Sequence, residues 1–289
     1  AGIAFFDIDG TLTYGISSGA FIADRLGTGD RMRDAEDRYA RGEIGNDTVC
    51  DIDARGYTGH RVSEIHGWLN DLPLVQGIAQ SVAECKSRGI KPVLASCAWT
   101  VVSESLAQSI WFEAWCGPEL AVKDGVFIGK TAAYADEQTK VTFMRQQCEC
   151  LGVEASNCIA IGDSRSDLPL FKAVGVSLAF NADKQTVLLR TFAFEGADLS
   201  TALARLFEHL QLKADFRLTG CTLRQELGTS LPKKLFEVVS FVSFMREHLR
   251  GGAVHADYTL RHVAHCESLP TFIEDGWWCW LLSRAKPKT

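Results

Sequence analysis

Apolar residues along this chain fall into runs whose period changes from segment to segment. Ile3–Phe6, Val93–Ala95, Cys158–Ile161 and Val176–Phe180 are short, mostly apolar and bounded by turn residues, the pattern of strands covered on both faces. Between the later runs the spacing is helical. Ile78, Val82 and Cys85 recur before Gly89, and Val141, Met144, Cys148 and Leu151 before Gly152, each glycine placed where a helix ends. This alternation predicts an α/β fold: a Rossmann-like parallel sheet with helices on both faces, its functional groups at the carboxyl ends of the strands.

The pattern is interrupted from Tyr14 to Leu74, where no strand run occurs and "DRMRDAEDRYARGE" reads as a charged helix with Met32, Ala35 and Tyr39 on one face. An insertion of about 60 residues at this point predicts a small helical cap, with "LPLVQG" leading back to the core. "VKDGVFIGK" alternates around Asp124-Gly125, a hairpin signal. The expected division is a catalytic core of residues 1–13 and 75–210, a cap of 14–74 and a mostly helical C-terminal extension of 211–289 with no assigned role. Within that extension "LPKKLFEVVSFVSFMREHL" is apolar except for a stripe of Lys234, Glu237, Ser240, Ser243 and Glu247. Such a helix needs the core or another subunit to cover it, which makes Phe236, Val239 and Phe241 a candidate homodimer face.

Composition narrows the class. Of 289 residues 46% are apolar and 23% charged, as in ordinary globular proteins, and the net charge of -6 argues against nucleic acid or an anionic membrane as the main partner. No uncharged stretch is long enough to predict a membrane span. The ten cysteines are scattered without a CxxC pair and read as reduced thiols. With neither a basic n-region nor an apolar h-region in view, the expected location is the cytoplasm.

The chemistry begins where the first strand ends, at "FFDIDGT". Two carboxylates behind a buried strand are costly to desolvate unless a cation or a reaction compensates them. If the strands are parallel neighbours, Asp7, Asp9, Asp163 and Asp167 gather at one edge of the sheet. Each pair at about 4 Å then repels by roughly 1–4 kcal/mol. A hard divalent cation relieves that repulsion, and oxygen-only ligands suit Mg²⁺.

Asp7-x-Asp9-x-Thr11, Ser96 in "VLASCAW", the helical Lys140 and "GDSRSD" stand in this order on strand ends and a helix. Together they resemble the haloacid dehalogenase superfamily of phosphohydrolases over roughly residues 1–200. The helical insertion after the first motif is similar to the branch that contains phosphoserine phosphatases. The resemblance implies that Asp7 is the nucleophile, forming an aspartyl phosphate, and that Asp9 is the acid and base, which asks for a raised pKa. Ser96 and the amides after it would hold phosphate oxygens, and Lys140 would neutralise charge shared by Asp7 and the phosphoryl group. Mg²⁺ would be held by the Asp7 side chain, the Asp9 main-chain carbonyl and Asp163, with Asp167 acting through water. Gly10 would allow close approach to the phosphate, and Thr11 and Cys97 would lie beside the substrate.

Each residue also has a plainer reading. Asp9 and Asp163 stand beside glycines and suit turns, Lys140 suits a solvated helix face, and Ser96 suits a strand end. Cys97 and Trp99 fit core packing as well as a pocket wall. Arg165 fits a bidentate donor to a substrate anion, or an ion pair with Asp163 or Asp167. Asp51 and Asp53 repeat the Asp-x-Asp pattern without a strand before them and read as a decoy in the cap. Gly27-Thr28-Gly29 reads as a loop, and His262 and His265 as packing or surface residues.

Phosphoserine phosphatases carry a glutamate shortly after the first motif and a cap arginine for the amino acid portion. Here "YGISSGAFIAD" has no acid before Asp24, and Arg38, Arg41, Arg55 and Arg61 do not fall on the arginine position. The expected partner is therefore a small phosphate ester of unnamed identity. Phosphotransfer to an alcohol through the same intermediate, and a non-catalytic scaffold on the same fold, are the alternatives.

Overall fold

The computed structural model of the protein describes residues 2–211 except residue 189. The expected amphipathic helix with its dimer face, His262 and His265 lie outside the described residues.

Strand β1 (Gly2–Phe6) is buried along its whole length because it lies inside a sheet covered on both faces, which is why its sequence shows no polar alternation. β2 (Ile90–Ala95) and β6 (Cys158–Gly162) flank it. With β3 (Trp115–Cys116), β7 (Val176–Phe180) and β8 (Phe192–Phe194) they make a six-stranded sheet of order β3-β2-β1-β6-β7-β8. Every pairing in it is parallel. A separate antiparallel pair is formed by β4 (Glu119–Lys123) and β5 (Val126–Ala133). Asp124 and Gly125 both take positive φ between these two strands, 52° and 74°, as a tight primed turn requires.

Four helices occupy the insertion: α1 (Ser18–Arg25), α2 (Gly29–Ala40), α3 (Asn46–Ala54) and α4 (Val62–Leu69). Their own small core joins Ala23, Met32, Ala35 and Val49, with Tyr39 packed against it, so the face expected of the charged helix is the face that is buried. The chain leaves and rejoins the sheet through adjacent linkers: Tyr14 N donates to the Pro73 carbonyl at 2.9 Å and Val75 N to the Leu12 carbonyl at 2.9 Å. The hairpin leans on the insertion, with Val62 N donating to Gly125 O at 3.0 Å and Phe127 N to His60 O at 2.9 Å.

The remaining helices are α5 (Ile78–Ser87), α6 (Thr100–Ile110), α7 (Glu137–Leu151), α8 (Leu168–Ala173) and α9 (Lys184–Leu188), and a last one begins at residue 199. One face of the sheet packs Phe5, Val93 and Ala160 against Val141, Phe143, Met144, Leu170 and Phe171. On the other, Phe6 meets Phe112 edge-on with centroids 5.4 Å apart. Helix α7 has a reciprocal N-terminal cap: the Asp136 carboxylate accepts from Thr139 N at 2.8 Å and the Thr139 hydroxyl from Asp136 N at 3.0 Å. It ends at Gly152, whose φ of 62° is left-handed. Among the described residues all seven cysteines are free, and no helix is long and apolar enough to cross a membrane.

Candidate active site

Register brings the motifs together. Phe6 pairs with Leu94 on one side and Ile161 on the other, so the residues that follow all three strands emerge at the same sheet edge. Asp7 N extends the ladder by donating to Ile161 O at 2.9 Å, which fixes the backbone from which its carboxylate projects. Asp7, Asp163 and Asp167 each offer an oxygen, and these oxygens lie within 4.8 Å of one another.

Lys140, one turn into α7, is wholly buried against this group. Its Nζ donates to Asp7 Oδ1 at 2.8 Å, to Asp167 Oδ1 at 2.7 Å and to the Ser166 hydroxyl at 3.0 Å. Burial alone would lower the ammonium's pKa, but the Asp167 and Asp7 carboxylates outweigh it and hold it well above the usual lysine range. The solvated reading of Lys140 is thereby replaced by a buried, three-way contact. Asp167 is fully engaged, since its second oxygen accepts from the amides of Asp163 and Ser164 at 3.1 and 3.2 Å. Burial and the Asp7 and Asp167 charges push the Asp163 carboxyl upward, a cost that a bound cation would remove. An all-oxygen set of three close carboxylates fits a hard divalent ion in number and type.

Asp9 turns the other way. Its carboxylate accepts from Ser18 N at 2.6 Å and from the Ser18 hydroxyl at 3.1 Å, at the start of α1. Burial raises it to about 6, against those hydrogen bonds and with the Asp7 charge adding. Gly10 takes a φ of 81°, and a β-carbon there would stand 2.1 Å from Asp163 Oδ2. Gly10→Ala should therefore displace Asp163 and lower kcat/KM by about 10²-fold with the circular dichroism spectrum unchanged, as measured by steady-state kinetics. Thr11 is buried, with its hydroxyl 3.5 Å from Asp163 Oδ1. Ser96 is also buried, its hydroxyl accepting from Ala98 N at 3.1 Å.

These groups open into a cleft of about 790 Å³ walled by the insertion and the strand ends, with Asp7, Asp9, Gly10, Ser96, Cys97 and Asp163 in its lining. Burial pushes the Cys97 thiol up to about 12, so it stays protonated at neutral pH. Arg165 is absent from the lining. Its guanidinium lies 4.2 Å over the Tyr39 ring, donates to the Tyr39 carbonyl at 2.9 Å and pairs with Glu137 at 3.1 Å, so its ion pair is with Glu137 rather than with a flanking aspartate.

Two acids that sequence reasoning did not select join the wall. Glu36 of α2 accepts from the Ser17 hydroxyl, and Asp53 of α3 accepts from the Trp99 indole N–H at 2.7 Å. Asp53 is thus part of the cavity wall, whereas Asp51 bonds Thr131 and Tyr134 outside it. The signal that could have found them is an acid inside an apolar helical stripe: Glu36 continues Met32 toward Tyr39, and Asp53 continues Val49 and Cys50. Trp99 serves both of its candidate roles, as a cleft wall that is 5% exposed.

The profile of haloacid dehalogenase-like hydrolases matches residues 4–172. A phosphoserine phosphatase of Albidiferax ferrireducens is 27% identical over 208 residues, 68% of this chain and 86% of that protein. One of Archaeoglobus fulgidus is 26% identical over 217 residues, 73% of this chain but 60% of that protein. The solved structure of a substrate-bound phosphoserine phosphatase complex superposes with a TM-score of 0.63 at 18% identity, covering 70% of this chain and 97% of the other, a likeness of fold. With three motifs on neighbouring strand ends, a fourth on α7 and a match across more than half its length, the chain belongs to the haloacid dehalogenase-like hydrolases, as a phosphatase of the phosphoserine phosphatase-like branch.

Proposed function

We propose that this protein hydrolyses a small phosphomonoester through an aspartyl phosphate on Asp7, with Mg²⁺ as cofactor and residues 14–74 as the cap that controls access. The observation that carries the reading is the buried Lys140 ammonium joined to Asp7 and Asp167 beneath the floor of the cleft, with Asp163 beside them. Lys140 occupies Asp7 Oδ1, so the other carboxylate oxygen is the one available to attack phosphorus. As the P–O bond to the leaving group breaks, the alkoxide takes a proton from Asp9. Asp9 then removes a proton from water, which attacks phosphorus and releases the Asp7 carboxylate. A carboxyl with a pKa near 6 can serve in both directions at neutral pH.

Mg²⁺ held by the Asp7 side chain, the Asp9 carbonyl and Asp163 would spread the charge of the phosphoryl oxygens. Ser96 and the amides after it complete the phosphate cradle, and Lys140 keeps Asp7 and Asp167 from repelling the incoming anion. Release of phosphate from an aryl phosphate tests the reading. It should require Mg²⁺, stop when the ion is chelated and return when it is restored; a folded protein that releases none with Mg²⁺ present would overturn it.

A further inference from the structure

Arg165 stands between two acids of the strand-end cluster and yet forms its ion pair elsewhere, with Glu137. Its turn, Arg165–Asp167, is braced by bonds that do not involve the arginine side chain. Asp167 accepts from the amides of Asp163 and Ser164 at 3.1 and 3.2 Å and from Lys140 Nζ at 2.7 Å, and the Asp163 carbonyl accepts from Asp183 N at 3.0 Å. The turn is therefore a fixed post. From it the guanidinium extends to the insertion, where Nε donates to the Tyr39 carbonyl at 2.9 Å and the guanidinium carbon lies 4.2 Å from the centre of the Tyr39 ring.

Glu137 completes the contact. Its Oε1 receives Arg165 Nη1 at 3.1 Å and the Tyr39 hydroxyl at 2.9 Å. One tyrosine near the end of α2 is thus gripped at its carbonyl, its ring face and its hydroxyl by two residues of the core. The Arg165 and Glu137 side chains are 31% and 23% exposed, so their pair is partly shielded from the water and salt that weaken fully exposed pairs. A lysine could not reproduce the arrangement, because stacking on a ring while donating from separate nitrogens to a carbonyl and a carboxylate requires the planar fork of a guanidinium. The next helix of the insertion lands on the same stretch of core: Asn46 Nδ2, at the start of α3, donates to the Ala135 carbonyl at 2.8 Å. Tyr39 belongs to the cleft lining, whereas Arg165 and Glu137 do not.

We propose that Arg165 is a positioning residue of the reaction: with Glu137 it clasps Tyr39 and so holds α2 in the conformation that walls the cleft, acting from outside the lining. The inference rests on the phosphomonoesterase reading and adds to it a residue that sets closure of the insertion. When the clasp is broken, the fraction of protein with a complete wall falls, and the apparent affinity for a substrate enclosed by that wall falls by the same factor. Saturating substrate restores the wall, and the post keeps its own bonds. Turnover at saturation therefore changes little.

The test measures hydrolysis of p-nitrophenyl phosphate by the full chain with Mg²⁺, and amide hydrogen exchange of the same proteins in metal-free buffer. Arg165→Met should raise KM by about five- to tenfold with kcat within about threefold of native. Exchange should quicken over residues 29–41 and stay native over 163–167. Arg165→Lys should leave KM raised, and Glu137→Gln, which keeps the acceptor's shape and removes its charge, should shift KM and exchange the same way by a smaller factor. A fall in kcat at native KM, or faster exchange over 163–167, would make Arg165 a support of the acidic turn and overturn the clasp. A native KM in Arg165→Met or in Arg165→Lys would overturn it as well. Absence of hydrolysis by the native chain would overturn the phosphatase reading instead, and the exchange measurement would then decide the clasp by itself.

Discussion

Asp7→Asn should abolish turnover, with kcat for aryl phosphate hydrolysis lower by at least about 10⁴-fold and the unfolding transition little changed. The substitution keeps the shape of the side chain and an oxygen for Lys140, so the three-way contact at 2.8 Å has a partner to keep. What is lost is the anionic oxygen that would bond to phosphorus, and no nearby group replaces it. Asp163 lies under the close approach of Gly10, and both Asp167 oxygens are occupied. Phosphate release measured with Mg²⁺ in excess, beside a urea unfolding curve, checks both halves. Multiple turnovers by the asparagine variant at a substantial fraction of the native rate would remove Asp7 from its assigned role.

Lys140→Met should be the most destabilising single change at the site. The methionine fills similar volume, but it leaves Asp7 and Asp167, both nearly inaccessible to water, without the ammonium that each contacts within 2.8 Å. Removing one partner of a buried ionic cluster costs about 3–5 kcal/mol, because the remaining charges stay desolvated and repel. In metal-free buffer the urea midpoint should fall accordingly. Mg²⁺ should recover part of the loss, since a divalent ion bound at the same acids supplies the missing positive charge. Activity should fall by at least about 10²-fold even with the ion present, because the charge nearest the attacking carboxylate is gone. A native-like midpoint in metal-free buffer would mean that the cluster is compensated in some other way.

The sheet could be read from the chain because its inner strands are apolar on both faces. β1, β2, β6 and β7 each stand out as runs, and parallel pairing follows from the helices between them. The edge strands could not. β3 has two residues, and β8 is a three-residue run of intermediate exposure, too short for any period to register. The same contrast holds at the site. Asp7, Asp9, Ser96 and Asp163 directly follow strands or the turns after them, so local sequence locates them. Glu36 and Asp53 sit on helices rich in acids, and only the fold distinguishes the acid that faces the cleft from its solvated neighbours. Arg165 illustrates the reverse case: its position between two aspartates suggested an ion pair with one of them, but Glu137 pairs with it and Tyr39, brought in by the insertion, offers its guanidinium a ring face and a carbonyl.

The paired linkers at Leu12–Tyr14 and Pro73–Val75 make the segment between them a cassette. Its two ends are already held side by side by main-chain hydrogen bonds that involve no side chain, so a loop of a few residues could close the gap or a different module could be spliced in without altering β1. The acids at the strand ends would stay where they are, and Glu36 and Asp53 would leave with the module. Ancestral descent can therefore rewrite what this scaffold recognises while inheriting, unchanged, how it reacts.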